Sequence, residues 1–206
     1  MAGGRPLETP FGTIYTANIT PDPQTGIGTW SAEQFYRAMH KGVGAHGQHL
    51  YLAFPYPWFT KVTREDVNSI YAYLRSLPAV QNRPPANALP WPLDIRTTVS
   101  GWNLLFFSPG TFKPDAGKSA EWNRGAYLVE GLAHCDACHS GKNFLGAVED
   151  GQRYQGAELP HWFAPNLTRP EVTNWLPGTR SETDQEHAPD NPLMWDYVPW
   201  FILILS

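Results

Sequence analysis

Cys135-Asp136-Ala137-Cys138-His139 is the stretch that decides how this chain of 206 residues is organised. Two thiols at this spacing can each add to one of the two vinyl groups of a single porphyrin, and the histidine that follows can then ligate the iron from the proximal side. The chain contains two cysteines, and this motif uses both. The motif therefore predicts one covalent haem c site formed by Cys135, Cys138 and His139, with His139 as the proximal iron ligand.

Two other kinds of site also use two cysteines separated by two residues. A zinc site would need two further ligands, and the remaining histidines do not stand at the usual paired spacing after the motif. A redox dithiol usually follows a strand and opens a helix within a βαβ pattern, and no such pattern precedes Cys135. Haem is therefore the favoured interpretation, with a cytosolic metal or dithiol module as the alternative. The histidines considered for zinc are His40, His46, His49, His134, His161 and His187.

Composition limits the partners and the type of chain. The formal net charge of −4, with no basic run, argues against nucleic acid as a partner. The 20 prolines and 18 glycines predict short helices joined by long irregular segments. The apolar residues 198–205 are too few to span a bilayer, so peripheral membrane association and a packed tail are the open interpretations. Residues 1–6 lack the apolar core of a signal peptide.

Capping residues and helical spacing predict three helices. A capping box at Ser31 begins the first, and Gly42 ends it. The second begins near Thr63 and stops before Pro78, and the third begins at Ser119 and leads directly into Cys135. Residues 9–23 and 81–117 are rich in turn residues or proline, so irregular backbone is expected there.

A short internal repeat adds a second haem-domain fragment to this scheme. Tyr15-Thr16-Ala17-Asn18-Ile19-Thr20-Pro21 aligns with Phe163-Ala164-Pro165-Asn166-Leu167-Thr168, which follows the cysteine motif. Counting back from the first copy places an equivalent cysteine before Met1. We therefore expect residues 1–80 to form an incomplete cytochrome c-like domain without its attachment half. A proline-rich aromatic linker over 81–118 and a haem c domain over 119–206 follow it.

With these segments in view, the chain resembles the multihaem cytochrome c subunits of bacterial membrane-bound dehydrogenases. These are of the alcohol or gluconate dehydrogenase type, or are associated with molybdenum hydroxylases. The resemblance covers roughly residues 3 to 168. Its motifs are Thr9-Pro10-Phe11-Gly12-Thr13-Ile14-Tyr15, Asn18-Ile19-Thr20-Pro21-Asp22, Gly26-Ile27-Gly28-Thr29-Trp30-Ser31, Leu50-Tyr51-Leu52-Ala53-Phe54-Pro55-Tyr56, Trp102-Asn103-Leu104-Leu105-Phe106-Phe107 and Glu121-Trp122-Asn123-Arg124-Gly125-Ala126-Tyr127-Leu128-Val129.

This resemblance implies a fold, a role and a location. The fold would be all-α, with tandem cytochrome c-like domains and long irregular loops. The protein would carry electrons through covalent haem and would not be an enzyme itself. It would accept electrons from a dehydrogenase catalytic subunit and pass them to the respiratory chain through quinone or a terminal oxidase. The location would be the periplasm or the periplasmic face of the inner membrane.

The departures from the family pattern concern both ends of the chain. Relatives usually carry haem motifs before the position of Gly3, and many have methionine, a distal ligand, where Phe54 stands. Past Thr168 the expected glycine-rich segment and methionine loop are missing, so the chain resembles a subunit truncated at both ends. A non-functional fragment of such a subunit is therefore an alternative.

The sixth position on the iron is the least determined part of the predicted site. Met194 lies at a plausible distance downstream of the motif, and thioether ligation would raise the reduction potential. Methionine also fills gaps in packed tails, so Met194 has a structural interpretation as well. Water or His161 could ligate instead, or the iron could stay five-coordinate. The last case would suit a haem protein that binds small ligands or peroxide.

Overall fold

The structure is a computed structural model that describes residues 1–159 and 162–168. The chain divides into a first unit, Met1–Tyr127, and a second unit that begins at Leu128. The candidate ligands Met194 and His161 lie outside the described residues. The domain limits expected from the sequence stay a prediction.

Two short β-hairpins correct the expected all-α class. Strands β1 (Pro6–Thr9) and β2 (Gly12–Tyr15) pair antiparallel in the first unit. Strands β3 (Ala157–Leu159) and β4 (Trp162–Ala164) pair in the same way in the second unit. The prediction of an all-α fold is therefore wrong, because the described residues combine helices with two two-stranded antiparallel sheets. Strands of three or four residues are too short to show the alternation that identifies a strand in a sequence.

The first hairpin is stabilised by its turn and by a distant segment of chain. The Thr9 hydroxyl donates to the carbonyl oxygen of Gly12 at 2.7 Å, which closes the turn. The N–H of Thr13 donates to the carbonyl oxygen of Ala88 at 3.0 Å, and the N–H of Ala88 donates back at 2.9 Å. The N–H of Tyr15 donates to the Asn87 side chain at 3.0 Å. Residues 87 and 88 thus act as a partial third strand beside β2.

Helices α1 (Ala32–Lys41) and α3 (Arg64–Ser76) form the core of the first unit. The predicted capping box is confirmed, because the side chain and backbone of Ser31 exchange hydrogen bonds with those of Gln34. Gly42 ends α1 with a left-handed backbone at φ 61°, and the Thr63 hydroxyl caps α3 as predicted. The buried Phe35 and Met39 of α1 and Val67 and Leu74 of α3 belong to this core.

The segment 81–118 contains a helix that its composition did not predict. Helix α4 spans Thr97–Phe106, and Asn103 on it accepts a hydrogen bond from the Tyr56 hydroxyl of the short helix α2 (Tyr56–Phe59). The Tyr56 ring also contacts Phe107, with ring centroids 5.1 Å apart. A fully buried tyrosine thus holds α4 against α2. In the described part of the chain, none of the helices has the length and apolarity needed to cross a bilayer.

Helix α5 (Ala120–Tyr127) is held in the first unit by its last residue. The Tyr127 side chain is buried, and its hydroxyl accepts the Thr63 N–H at 3.1 Å and donates to the Asp66 carboxylate. Burial and the bond to Asp66 raise the pKa of Tyr127, so its hydroxyl stays protonated at neutral pH. The helix that leads to the cysteine motif is therefore held at the N-terminal end of α3.

The internal repeat has the same local structure in both copies. In the first copy the Asn18 carboxamide oxygen accepts from the backbone N–H of Thr20 at 3.0 Å and from its hydroxyl at 2.8 Å. In the second copy Asn166 accepts from both groups of Thr168, each at 2.7 Å. Each turn follows a β-hairpin. The repeat read from the sequence is thus a repeated hairpin and asparagine turn.

The two copies differ in the acceptors to which the asparagine side-chain NH₂ group donates hydrogen bonds. The Asn18 Nδ2 donates to Thr25 Oγ1 at 2.9 Å and to the carbonyl oxygens of Val80 and Asn82 at 2.8 and 3.3 Å. Asn18 is 4% exposed, whereas Asn166 is only partly buried. Asn18 therefore closes its own loop, through Thr25, and joins that loop to residues 80–82, more than 60 positions away in sequence.

We expect Asn18→Ala to lower the free energy of unfolding by about 2–4 kcal/mol, because several buried groups lose their partners. The matched change Asn166→Ala removes the same turn at a less buried position and should cost about 1 kcal/mol. Urea denaturation of the full chain, followed by circular dichroism, measures both. Equal losses of unfolding free energy in the two variants would contradict this prediction. They would show that the additional hydrogen bonds of Asn18 do not stabilise the chain.

Candidate functional site

The chain reaches the cysteine motif through a π-helical turn and a residue with left-handed backbone. Helix α5 runs directly into the π-helix Leu128–Leu132, a rare element that occurs often at functional sites. His134 follows with φ 39°, a conformation that few residues besides glycine adopt. Its ring is buried, with Nδ1 3.1 Å from the carbonyl oxygen of Leu132, and burial lowers the pKa of His134. A neutral, buried His134 thus closes the turn before Cys135.

The two thiols lie on one helical turn. Cys135 has helical backbone angles and precedes helix α6, Asp136–His139, so Cys135 and Cys138 share one face of that turn. Neither forms a disulfide, and both are partly buried. Burial raises the pKa of both thiols, although the charge of Lys142 partly offsets this at Cys138. A reactive redox dithiol needs a lowered thiol pKa, so the arrangement argues against that alternative.

The His139 ring is oriented by one hydrogen bond. Its Nδ1 lies 2.8 Å from the carbonyl oxygen of Pro165. A carbonyl oxygen can only accept, so in the neutral imidazole Nδ1 carries the proton and Nε2 offers the lone pair that a metal requires. Histidines that ligate metals commonly donate their other ring N–H to such an acceptor. The orientation of His139 therefore suits an iron ligand.

The residues that flank the second hairpin hold both the side chain and the backbone of His139. Pro165 follows β4, and Gly156 precedes β3 and donates its N–H to the His139 carbonyl oxygen at 2.8 Å. Gly156 has φ 90°, and a Cβ there would lie 2.9 Å from the carbonyl oxygen of Ala164. The first unit has the same feature at Gly3, where φ is 80° and a Cβ would lie 2.6 Å from the carbonyl oxygen of Thr16. Glycine is thus required for this close approach.

A buried carboxylate lies between the two cysteines. Asp136 is 2% exposed, forms an ion pair with Arg153 at 2.9 Å and accepts a hydrogen bond from the Ser140 hydroxyl. Ser140 in turn accepts the N–H of Tyr154 at 2.8 Å, and the N–H of Leu167 donates to the Tyr154 carbonyl at 2.7 Å. Hydrogen bonds therefore run from the motif to the segment that supplies the carbonyl acceptor of the histidine.

The donors and the apolar surface of the second unit fit a haem better than a bare metal ion. In the part of the chain that the structure describes, no group of three or more His, Cys, Asp or Glu side chains is arranged to hold a metal ion. Two thiols and one oriented imidazole are what a covalently bound haem requires. Large apolar side chains of the second unit are at least 38% exposed, which leaves apolar surface for a planar macrocycle to cover. They are Val129, Phe144, Leu145, Phe163 and Leu167.

The structure brings together Cys135, Cys138 and His139, which the sequence predicted, and adds residues that the sequence did not. Pro165 lies in the repeated segment, but a role for its backbone oxygen has no signal in the side-chain pattern. Arg153 was missed because nothing in the sequence relates it to the motif. The proposed distal ligands Met194 and His161 lie outside the described residues, so the distal side stays a prediction.

Comparison with curated proteins finds relatives that match most of this chain. No protein-family model matches it. It is 49% identical to a nicotinate dehydrogenase subunit of Pseudomonas putida over 81% of this chain and 14% of that protein. It is 41% identical to the fructose dehydrogenase cytochrome subunit of Gluconobacter japonicus, over 82% of this chain and 35% of that protein. It is 34% identical to a diheme cytochrome c-type protein of Cereibacter sphaeroides, over 88% of this chain and 62% of that protein.

The chain spans less than two thirds of the length of each of these relatives. The Gluconobacter relative is named as a cytochrome subunit of a dehydrogenase and the Cereibacter relative as a diheme cytochrome c, which supports an electron-transfer role and implies covalently bound haem. The resemblance predicted from the motifs is therefore confirmed: this chain is homologous to the cytochrome c subunits of dehydrogenases and to a dihaem cytochrome c.

Proposed function

We propose that this chain is an electron carrier with one covalent haem c, bound by Cys135 and Cys138 and ligated by His139. The observation that carries the proposal is the 2.8 Å hydrogen bond from His139 Nδ1 to the Pro165 carbonyl. This bond leaves Nε2 as the ring nitrogen available to a metal, and both cysteines of the same motif are free. Haem supplies a one-electron Fe(III)/Fe(II) couple when it is bound.

Each residue of the proposed haem site has a separate role. The two cysteines would fix the cofactor through thioether bonds, and His139 would ligate the iron. The carbonyl of Pro165 keeps the imidazole in one tautomer and makes it a stronger donor. Glycine at position 156 allows the hairpin to approach the motif closely. We assign no substrate chemistry to the chain itself.

We further propose that the electrons come from a dehydrogenase catalytic subunit and go to the respiratory chain through quinone or a terminal oxidase. The names of the relatives support such a partner, and the one at 49% identity is named for nicotinate, which favours an N-heterocyclic substrate for the partner enzyme. The proposed location is the periplasmic side of the inner membrane. Covalent haem attachment to such a motif takes place outside the cytoplasm in bacteria, as the family resemblance implies.

We expect one covalent haem per chain when the full chain is expressed behind an export signal with the attachment machinery. A pyridine haemochrome spectrum of the denatured protein gives this count. Changing Cys135 and Cys138 to serine should abolish covalent haem, because both thioether bonds are lost. The matched histidine control is His134→Asn, since asparagine tolerates the left-handed backbone at that position.

We expect His134→Asn to keep its haem and the wild-type spectrum, whereas His139→Ala should lose haem or change that spectrum. A wild-type chain without covalent haem would refute the proposed function. An intact haem spectrum in His139→Ala would refute the assignment of the proximal ligand.

The proposed distal ligand, Met194, has its own test. If its thioether binds the iron, the reduced wild-type protein should not bind carbon monoxide rapidly, whereas reduced Met194→Leu should bind it at once. Met39→Leu is the matched control, because Met39 is buried in helix α1 and the exchange conserves volume. Rapid binding by the wild-type protein would instead support a five-coordinate haem protein that takes small ligands.

A further inference from the structure

The Asp136 carboxylate is the most deeply buried charge described in this chain, and the proposed haem attachment does not use it. It is 2% exposed and lies between the two cysteines. Aspartate is almost never fully buried unless it is paired. Here its partners are the Arg153 guanidinium at 2.9 Å and the Ser140 hydroxyl.

Arg153 binds two carboxylates that differ in their exposure to water. Its second partner is Asp150, at 3.1 Å from Nε, and that side chain is 91% exposed. Water and salt screen the charge of Asp150 strongly, whereas the charge of Asp136 acts through the protein interior. Asp136 and Asp150 are therefore chemically equivalent partners of one arginine in two different dielectric environments.

Asp136 also lies close to the proximal ligand. Asp136 and His139 are the first and last residues of α6, and residues three apart on a helix are neighbours on its surface. The field of Asp136 already reaches another group nearby. Burial raises the pKa of Tyr154 to about 12, and the charge of Asp136 adds to this effect. Asp136 is therefore a buried carboxylate on the same helical turn as the residue that would hold the iron.

We infer that the Asp136–Arg153 ion pair sets the reduction potential of the haem, with its two charges acting in opposite directions. This inference rests on the proposed function, because it needs a haem ligated by His139. Reduction adds one electron to Fe(III) and gives Fe(II), without a proton. A carboxylate stabilises the more positive Fe(III), and a guanidinium stabilises Fe(II). As a pair they hold the site near neutrality.

The test is a set of reduction potentials measured at one pH and one ionic strength on the full haem-loaded chain. Asp136→Asn leaves an unbalanced cation and should raise the potential. Arg153→Gln leaves an unbalanced anion and should lower it, by a smaller amount because the arginine side chain is 48% exposed. The double variant should return close to the wild-type value. Asp150→Asn removes the screened partner of the same arginine and should leave the potential unchanged.

A purely structural role predicts a different pattern. Loss of the Asp136–Arg153 ion pair would then loosen the motif and expose the haem in both single variants. Both reduction potentials would therefore move in the same direction. That result, or no shift in either variant, would overturn the inference. If Asp136→Asn does not fold, Arg153→Gln against the charge-conserving Arg153→Lys decides the question, since only the former should lower the potential.

Haem counts separate this inference from the proposed function. A pyridine haemochrome spectrum is recorded for the wild type and every variant before the potentials are measured. A wild-type chain without haem would refute the proposed function. Variants that keep their haem but share one potential would refute only the role of the ion pair.

Discussion

The hydrogen bond between His139 Nδ1 and the Pro165 carbonyl is the constraint on which the rest of the second unit depends. It fixes which ring nitrogen is free, and it requires residues 26 positions apart to meet within 2.8 Å. The hairpin that precedes Pro165 achieves this approach because Gly156 adopts a backbone conformation that residues with a side chain rarely adopt. The π-helix Leu128–Leu132 and the left-handed His134 lie immediately before the motif. An oriented imidazole thus results from backbone conformations on both sides of the motif.

The helices of the first unit could be predicted because capping is local. The side chains of Ser31 and Thr63 act within three residues of their own positions, so the signal is complete in a few letters of sequence. The hairpins and α4 could not be predicted in this way. Strand β2 is stabilised by Ala88, more than 70 residues away, and α4 is held by the hydroxyl of Tyr56. Short elements that depend on distant partners leave no periodic pattern, which is why the all-α expectation failed.

The same difference between local and long-range signals applies to the residues of the site. Cysteines and a histidine at this fixed spacing indicate a haem-attachment site directly. Cys135, Cys138 and His139 could therefore be predicted as site residues from a stretch of five residues. The carbonyl of Pro165 and the guanidinium of Arg153 act through a backbone atom and a long-range pair, and neither has a signature in the sequence. Asp136 is the intermediate case. It stands inside the motif, yet an aspartate in a sequence is expected at the surface, and only the structure places it in the interior.

The burial that raises the pKa of both thiols suits a covalent cofactor better than redox exchange. A dithiol that exchanges disulfides must return to the thiolate in every cycle, so burial that raises the pKa of Cys135 and Cys138 works against it repeatedly. A thioether forms once and carries no charge afterwards, so the same burial then has no electrostatic cost. The environment of these two cysteines is therefore unfavourable for the thiolate and favourable for the bonded state.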